Sequence, residues 1–317
     1  MKVTICQTAP RLLDVKSNLE EVIAKIRYAR ENGSQLVVFP ELALTGYFVG
    51  ERYHEAALRL DSPEIKSLAA ASKGTAAVVG FIEESPSMNF YNSALVLVDG
   101  QIVFAYRKLN LPNYGVFDEG KIFATGKQLR TFKLHDFHIA VFICNDVWHP
   151  SLPYLGITQK ADIFVTIINS SEGSMGAEFS NMETWGVINT FYSRVFGIYG
   201  ICANRVGEES VGGRRKNDLP VLPPGKTEDH GREGTVSSYR FWGGSEIVNP
   251  FGRTISKAAL YETDEIEAHI SRELLRQKKI LLPYVKNDDP YFTYRELKRI
   301  LFRPDRGQPG LSRTTDG

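Results

Sequence analysis

The feature that most constrains this chain is the recurrence of short Val/Ile/Phe-rich runs separated by longer amphipathic stretches. Short apolar runs suit buried strands and the stretches between them suit helices, which specifies an α/β protein rather than an all-β or a helical one. Val3–Cys6 reads as the first strand, and Leu19, Val22, Ile23 and Ile26 then recur at helical spacing until Gly33 ends the helix. Gln35–Phe39 is a buried strand. Ser62-Pro63 opens a helix with Pro in its first turn, where the missing N–H costs nothing. Ala76–Ile82 is the next strand. Asn92–Val98 and Gln101–Tyr106 form a hairpin about Asp99-Gly100, a pair that supplies the positive φ angles of a two-residue turn. Ile139–Ile143, Ile163–Ile168 and Ile198–Ala203 are further strands, Asn181–Phe196 is an aromatic-rich helix, and a last strand pair flanks Asn249-Pro-Phe-Gly252.

A single domain over residues 1–303 accounts for this pattern, followed by a polar tail over 304–317. Within it, Gly207–Arg240 is rich in Gly, Pro and charge, and reads as a loop insert of the kind that acts as a lid or stays disordered. With 43% hydrophobic and 24% charged residues the chain is no disordered polymer. Its 38 Lys and Arg against 37 Asp and Glu leave a formal charge of +1, which gives no handle on nucleic acid or an anionic membrane. No apolar run approaches the ~20 residues of a membrane span. No secretory signal is visible, and the three cysteines, Cys6, Cys144 and Cys202, are odd in number and widely spaced. A cytoplasmic location follows as the expectation, with Cys6 and Cys202 as core residues.

The strand ends carry the chemistry. Gln35–Pro40 runs into Glu41, Ile102–Arg107 into Lys108, and Ile139–Ile143 into Cys144. In sheets buried by helices, reactive groups collect where strands end, held by the scaffold yet within reach of solvent. A carboxylate there can take and return a proton. An ammonium favours a neighbouring thiolate and can steady an oxyanion, to which the backbone N–H of Asn145 is a second donor.

The blocks Phe39-Pro-Glu41-Leu-Ala-Leu-Thr-Gly-Tyr47, Tyr106-Arg-Lys108-Leu-Asn-Leu-Pro and Cys144-Asn-Asp-Val-Trp-His resemble, in order and approximate spacing, the three signature blocks of the nitrilase (carbon-nitrogen hydrolase) superfamily. The resemblance extends to Phe241–Ser245 and Asn249–Gly252. It implies an αββα sandwich that pairs with a second copy as αββα-αββα. It also implies a metal-free, cofactor-free triad acting on a small-molecule amide and water: Glu41 as general base, Lys108 on the tetrahedral intermediate and Cys144 as the thioester-forming nucleophile. Glu119 resembles the second glutamate that many members place near the lysine. Within the superfamily, Leu111–Glu119 and the Cys-x-Asp-x-Trp block are most similar to the glutaminase domain of glutamine-dependent NAD synthetases, where tyrosines six residues after the glutamate and the lysine line the pocket. Tyr47 and Tyr114 hold those offsets here. Asn145, Trp148, Asn169 and Ser171 complete the pocket that the resemblance implies, Trp148 being as readily a core residue.

Two departures separate the chain from that branch. Those synthetases carry an ATP-dependent domain downstream, for which these 317 residues leave no room and no Gly-rich phosphate loop, so a stand-alone amidase is expected. The glutaminase pocket also presents an arginine shortly after the Ser-rich strand end, and Ile168–Phe179 contains none. Asn-Asp after the cysteine, where true nitrilases have Trp-Glu, favours amides over nitriles. N-carbamoyl substrates, acyl transfer to another amine, and a glutaminase-type subunit feeding ammonia to a partner stay open. Two readings of another class also stand: a catalytically silent binding subunit, and a zinc site drawn from His135, His138, Cys144, Asp146 and His149. Spacing disfavours the latter, since the first two histidines precede a strand and His149 follows it.

Overall fold

The computed structural model describes residues 1–174, 180–211 and 237–302. In chain order these form β1 (Lys2–Gln7), α1 (Val15–Glu31), β2 (Leu36–Val38), α2 (Tyr53–Ala56), α3 (Pro63–Ala71), β3 (Ala76–Glu84), β4 (Phe90–Val98) and β5 (Gln101–Arg107). Next come α4 (Glu119–Ile122), β6 (Thr131–Leu134), β7 (Phe137–Ile143), α5 (Ser151–Thr158), β8 (Ile163–Ile167), α6 (Asn181–Phe196) and β9 (Tyr199–Ala203). The remainder is β10 (Val206–Val211), β11 (Ser237–Trp242), β12 (Glu246–Val248), β13 (Thr254–Lys257), β14 (Asp264–His269), α7 (Arg272–Leu281), α8 (Tyr284–Asn287) and α9 (Pro290–Leu301).

Two six-stranded sheets result, in the orders β14-β1-β2-β3-β4-β5 and β13-β12-β9-β8-β7-β6. Each has a parallel centre, β1-β2-β3 or β7-β8-β9, with antiparallel strands outside it. Alternation of side chains along each strand sorts the core into layers. Val3, Ile5, Val38, Val78 and Val96 of the first sheet face Ile139, Val141, Val165 and Ile201 of the second in one central cluster. Cys6, Val37 and Val79 point outward beneath α1 and α3, while Ala140, Phe142, Phe164 and Cys202 point outward beneath α5 and α6. That is an αββα sandwich. Burial raises the thiols of Cys6 and Cys202, the latter to about 12, as befits core residues.

Local chemistry sets the element ends. Ser62 caps α3 ahead of Pro63, Gly197 closes α6 in the left-handed conformation, and Asp99 and Gly100 both take positive φ in the β4–β5 turn. Gly207–Arg240 departs from the single structureless insert expected. Its two ends continue the paired strands β10 and β11, in register Val206↔Trp242 through Val211↔Ser237. The pairing is anchored at its base, where the buried Arg205 guanidinium meets the Glu209 carboxylate and lies 4.3 Å from the Phe241 ring centroid. Arg214, Arg215, Lys216, His230 and the 304–317 tail fall outside the described residues. No helix among the described residues is long and apolar enough to cross a membrane.

Ile5 is fully buried between the sheets and away from the strand ends. Ile5→Ala should lower the unfolding free energy by about 2–5 kcal/mol in urea titration while leaving any activity per folded molecule unchanged.

Candidate active site

Glu41 lies just past β2, Lys108 is the residue after β5, and Cys144 is the residue after β7. The two sheets thus bring the reactive groups of three strand ends into one seam. Cys144 leaves its strand with φ near +45° and enters a 3₁₀ turn over Cys144–Trp148. A non-glycine residue held there costs of order 1–3 kcal/mol, which the surrounding packing must supply. The turn after Glu41 uses the same device, since Leu42 has φ near +49°. Gly80 on β3 sits against that turn. A Cβ on it would lie 2.4 Å from both Leu42 N and Pro40 O and 2.7 Å from Glu41 Cα.

The Lys108 ammonium is buried and donates 2.8 Å to Glu41 Oε1 and 2.7 Å to Glu119 Oε1. Glu119 Oε1 also accepts from the Tyr47 hydroxyl at 2.6 Å. Asn92 Nδ2 donates to Glu41 Oε1 at 2.7 Å, and Asn169 Nδ2 donates to the Glu41 carbonyl at 2.7 Å. Glu41 Oε2 has no protein partner among the described residues. Cys144 is partly exposed beside this cluster, and the Asn169 backbone N–H bonds its sulfur.

These contacts correct one expectation. Burial and then the Glu41 carboxylate hold the Cys144 thiol well above its ordinary pKa, and the Lys108 ammonium does not outweigh them. The lysine's charge is shared between two carboxylates, which leaves less of it to favour a thiolate at Cys144. Burial works against the Lys108 ammonium too, but Glu119 and Glu41 raise its pKa well above the usual lysine range. Burial raises the Glu119 carboxyl despite the ammonium and phenol that bond it.

The other expected residues divide. Tyr114, 43% exposed, donates its hydroxyl to Asn145 Oδ1 at 2.6 Å, so both stand at the nucleophile turn. Burial pushes the Tyr114 phenol up to about 12, so it remains a donor. Tyr47 and Asn169 belong to the cluster. Trp148 instead packs edge-on to Trp185, 5.8 Å between centroids, in the outer core of the second sheet. Ser171 is buried in a backbone network, bridging Phe241 and accepting from Ser174 and Asn181. His135 lies in the β6–β7 turn, at the opposite end of β7 from Cys144, and no group of three His, Cys, Asp or Glu residues suited to a metal occurs among the described residues.

Three participants were missed. Asn92 reads in the sequence only as the start of a strand, although a polar residue in Phe90–Val98, facing inward and fully buried, is the kind of exception that marks a site. Asp146, considered only as a metal ligand, binds the nucleophile turn to the loop after Lys108. Glu209 accepts the backbone N–H groups of Tyr47, at 2.9 Å, and Phe48, at 2.8 Å. It couples the β10–β11 base to the loop that carries Tyr47. A cavity of about 530 Å³ adjoins the cluster, lined by Tyr47 and Glu119 together with Phe48, Tyr53, Val116 and Phe123.

The carbon-nitrogen hydrolase family matches residues 2–280. The chain belongs to the carbon-nitrogen hydrolase family. Over 156 residues it is 38% identical to the glutamine-dependent NAD(+) synthetase of Thermotoga maritima, a stretch that is 48% of this chain and 27% of that relative. The match thus spans about a quarter of that synthetase's length. It is 28% identical over 251 residues to a probable nitrilase of Schizosaccharomyces pombe, covering 75% of this chain and 88% of that protein. In fold it is similar to an amidase of the nitrilase superfamily from Nesterenkonia AN1, with a TM-score of 0.69 at 18% identity over 94% of this chain and 97% of that one.

Two variants test the packing of this hydrolase's cluster. Gly80→Ala should displace the Glu41 turn, because the clash is with backbone, and lower the unfolding free energy by about 1–3 kcal/mol in urea. Lys108→Met leaves Glu41 and Glu119 facing each other without their cation. Burial already raises the Glu119 carboxyl, and loss of the ammonium that opposes this raises it further; the folded form then binds more protons, and its stability falls as pH increases. Urea midpoints should show the variant losing about 3–5 kcal/mol, with the larger part of the deficit at about pH 8 and less at about pH 5.

Proposed function

We propose that this hydrolase cleaves small carboxamides through a cysteine thioester and releases ammonia. The observation that carries the reading is one cation, Lys108, bonded to Glu41 and Glu119 beside a strained Cys144, with Glu41 Oε2 left without a protein partner. Cys144 Sγ attacks the amide carbon as its proton passes to that oxygen of Glu41. The carbonyl oxygen becomes anionic and is met by the Lys108 ammonium and the Asn145 backbone N–H. Collapse breaks the C–N bond, Glu41 returns the proton to the leaving nitrogen, and ammonia departs. Water then gives a proton to Glu41 and adds to the thioester, releasing the carboxylic acid and restoring the thiol.

A raised thiol pKa fits this order of events. A free thiolate among two carboxylates would be costly, so the proton leaves only as the S–C bond forms and Glu41 is there to take it. Glu119 neither attacks nor leaves; it holds Lys108 together with Glu41 and is itself held by Tyr47. We place the acyl group toward the cavity beside Tyr47 and Glu119, whose lining mixes the aromatic rings of Phe48, Tyr53 and Phe123 with the charged Glu51, Asp118 and Lys121. A glutaminase-type subunit that passes ammonia to an ATP-dependent partner is the second reading, favoured by the 38% identity to the synthetase.

Ammonia release is measured from a panel of aliphatic and aromatic amides, glutamine, asparagine, N-carbamoyl amino acids and nitriles. Cys144→Ala should abolish release and Glu41→Gln should lower kcat by roughly 10²–10⁴-fold with the fold intact. Release that survives Cys144→Ala overturns the thioester. Glutamine as the preferred substrate moves the assignment to the second reading, and silence with an unreactive Cys144 moves it to a binding subunit.

A further inference from the structure

Lys108 and Cys144 come from different sheets, so nothing in either sheet's hydrogen bonding fixes the distance between them. The side chain with the most bonds between the two reactive loops is Asp146. Asp146 is fully buried, two residues past the nucleophile, and takes part in no ion pair among the described residues. Its Oδ1 accepts from the backbone N–H groups of Leu109, at 3.1 Å, and Asn110, at 2.9 Å. Its Oδ2 accepts from Tyr106 Oη at 2.7 Å and from the Ile143 backbone N–H at 3.1 Å. The partners flank Lys108 on both sides, two residues before it and one and two after it, and include the residue just before Cys144. Asn145 adds a lighter contact of the same sense, Nδ2 donating to the Asn110 carbonyl at 3.2 Å.

We propose that Asp146 is the positioning residue that sets Lys108 against Cys144 across the seam. The inference rests on the triad reading above and concerns a residue that touches no substrate. All four partners of Asp146 are donors, so the position calls for an acceptor with two oxygens. Asparagine cannot replace it. With its NH₂ in the Oδ1 place, two backbone N–H groups face a donor. With the NH₂ in the Oδ2 place, the Tyr106 hydroxyl can turn to accept, but the Ile143 N–H is left buried and unpaired, at the residue that leads into the strained Cys144. Either way the nucleophile turn or the lysine loop shifts. Once the lysine retreats, the thiol faces Glu41 and Glu119 with less compensation, so its reaction as an anion slows.

The test compares the parent chain with Asp146→Asn and Tyr106→Phe, following Cys144 alkylation by iodoacetamide against pH by peptide mass mapping, with circular dichroism and urea unfolding in parallel. Asp146→Asn is expected to fold, to alkylate about tenfold or more slowly across about pH 7–9, and to shift its alkylation profile to higher pH. On whichever amide the parent turns over best, its kcat should fall roughly 100-fold with KM within about threefold. Tyr106→Phe removes one of the four donors and should slow alkylation by about two- to tenfold. A folded Asp146→Asn that alkylates within about twofold of the parent overturns the proposal, because a merely structural role lowers the urea midpoint without moving the thiol. Should Asp146→Asn not fold, an unchanged alkylation rate in Tyr106→Phe overturns it. A parent that hydrolyses nothing sinks the amidase reading, whereas the alkylation comparison still reports on Asp146.

Discussion

The Lys108 ammonium, held between Glu41 and Glu119 in the seam of the two sheets, is the interaction on which the site depends. A buried cation is costly unless it is matched, and here it is matched twice. The arrangement fixes three side chains at once. Lys108 follows an edge strand of the first sheet, Glu41 follows a central one, and Glu119 opens a short helix in the loop between the sheets. Each carboxylate is bonded by a further neutral donor, Asn92 or Tyr47, so neither is free to swing away when the substrate's charge changes. A cation that stays charged and stays in place costs no reorganisation when an oxyanion forms beside it.

Much of this was legible in the chain because the strands announce themselves. Val3–Cys6, Ile139–Ile143 and Ile163–Ile168 are buried apolar runs of the right length, and Cys144 follows one of them directly. The Asp99-Gly100 turn and the Asn181–Phe196 helix were legible for local reasons, the first from positive φ and the second from its aromatic-rich stretch between two strands. What escaped was long-range. Asp146 looks like any acid after a strand until the fold brings Leu109 and Asn110 to it, and Glu209 acquires its meaning only through Tyr47 and Phe48, some 160 residues away. The β10–β11 ribbon escaped because most of its sequence is polar, and the buried Arg205–Glu209 contact that ties down its base cannot be read from the sequence. Trp148 was ambiguous by type, and packing against Trp185 decided it.

The thiol shows the limit of pairwise reasoning. A lysine near a cysteine favours the thiolate, and that holds here as one contribution among several. Desolvation and the Glu41 carboxylate act on the same sulfur and prevail, so the net direction reverses. The consequence bears on the proposed reaction, in which the thiol gives up its proton to Glu41 as it attacks.

Two kinds of carboxylate do different work in this seam, and their hydrogen bonds tell them apart. Asp146 and Glu209 accept backbone N–H groups from the loops that carry reactive residues, and their oxygens are occupied by donors. A carboxylate used that way is a one-directional anchor, since every bond it makes needs a lone pair and protonation would set a donor against a donor. Glu41 differs in one atom. Its Oε1 is tied to Lys108 and Asn92, which fixes the side chain, while Oε2 keeps its lone pairs unused by the protein. An acid that must carry a proton from sulfur to nitrogen, and later from water to sulfur, requires one oxygen held and one free. In the proposed reaction Glu41 is that acid, its neighbours having already satisfied the other oxygen.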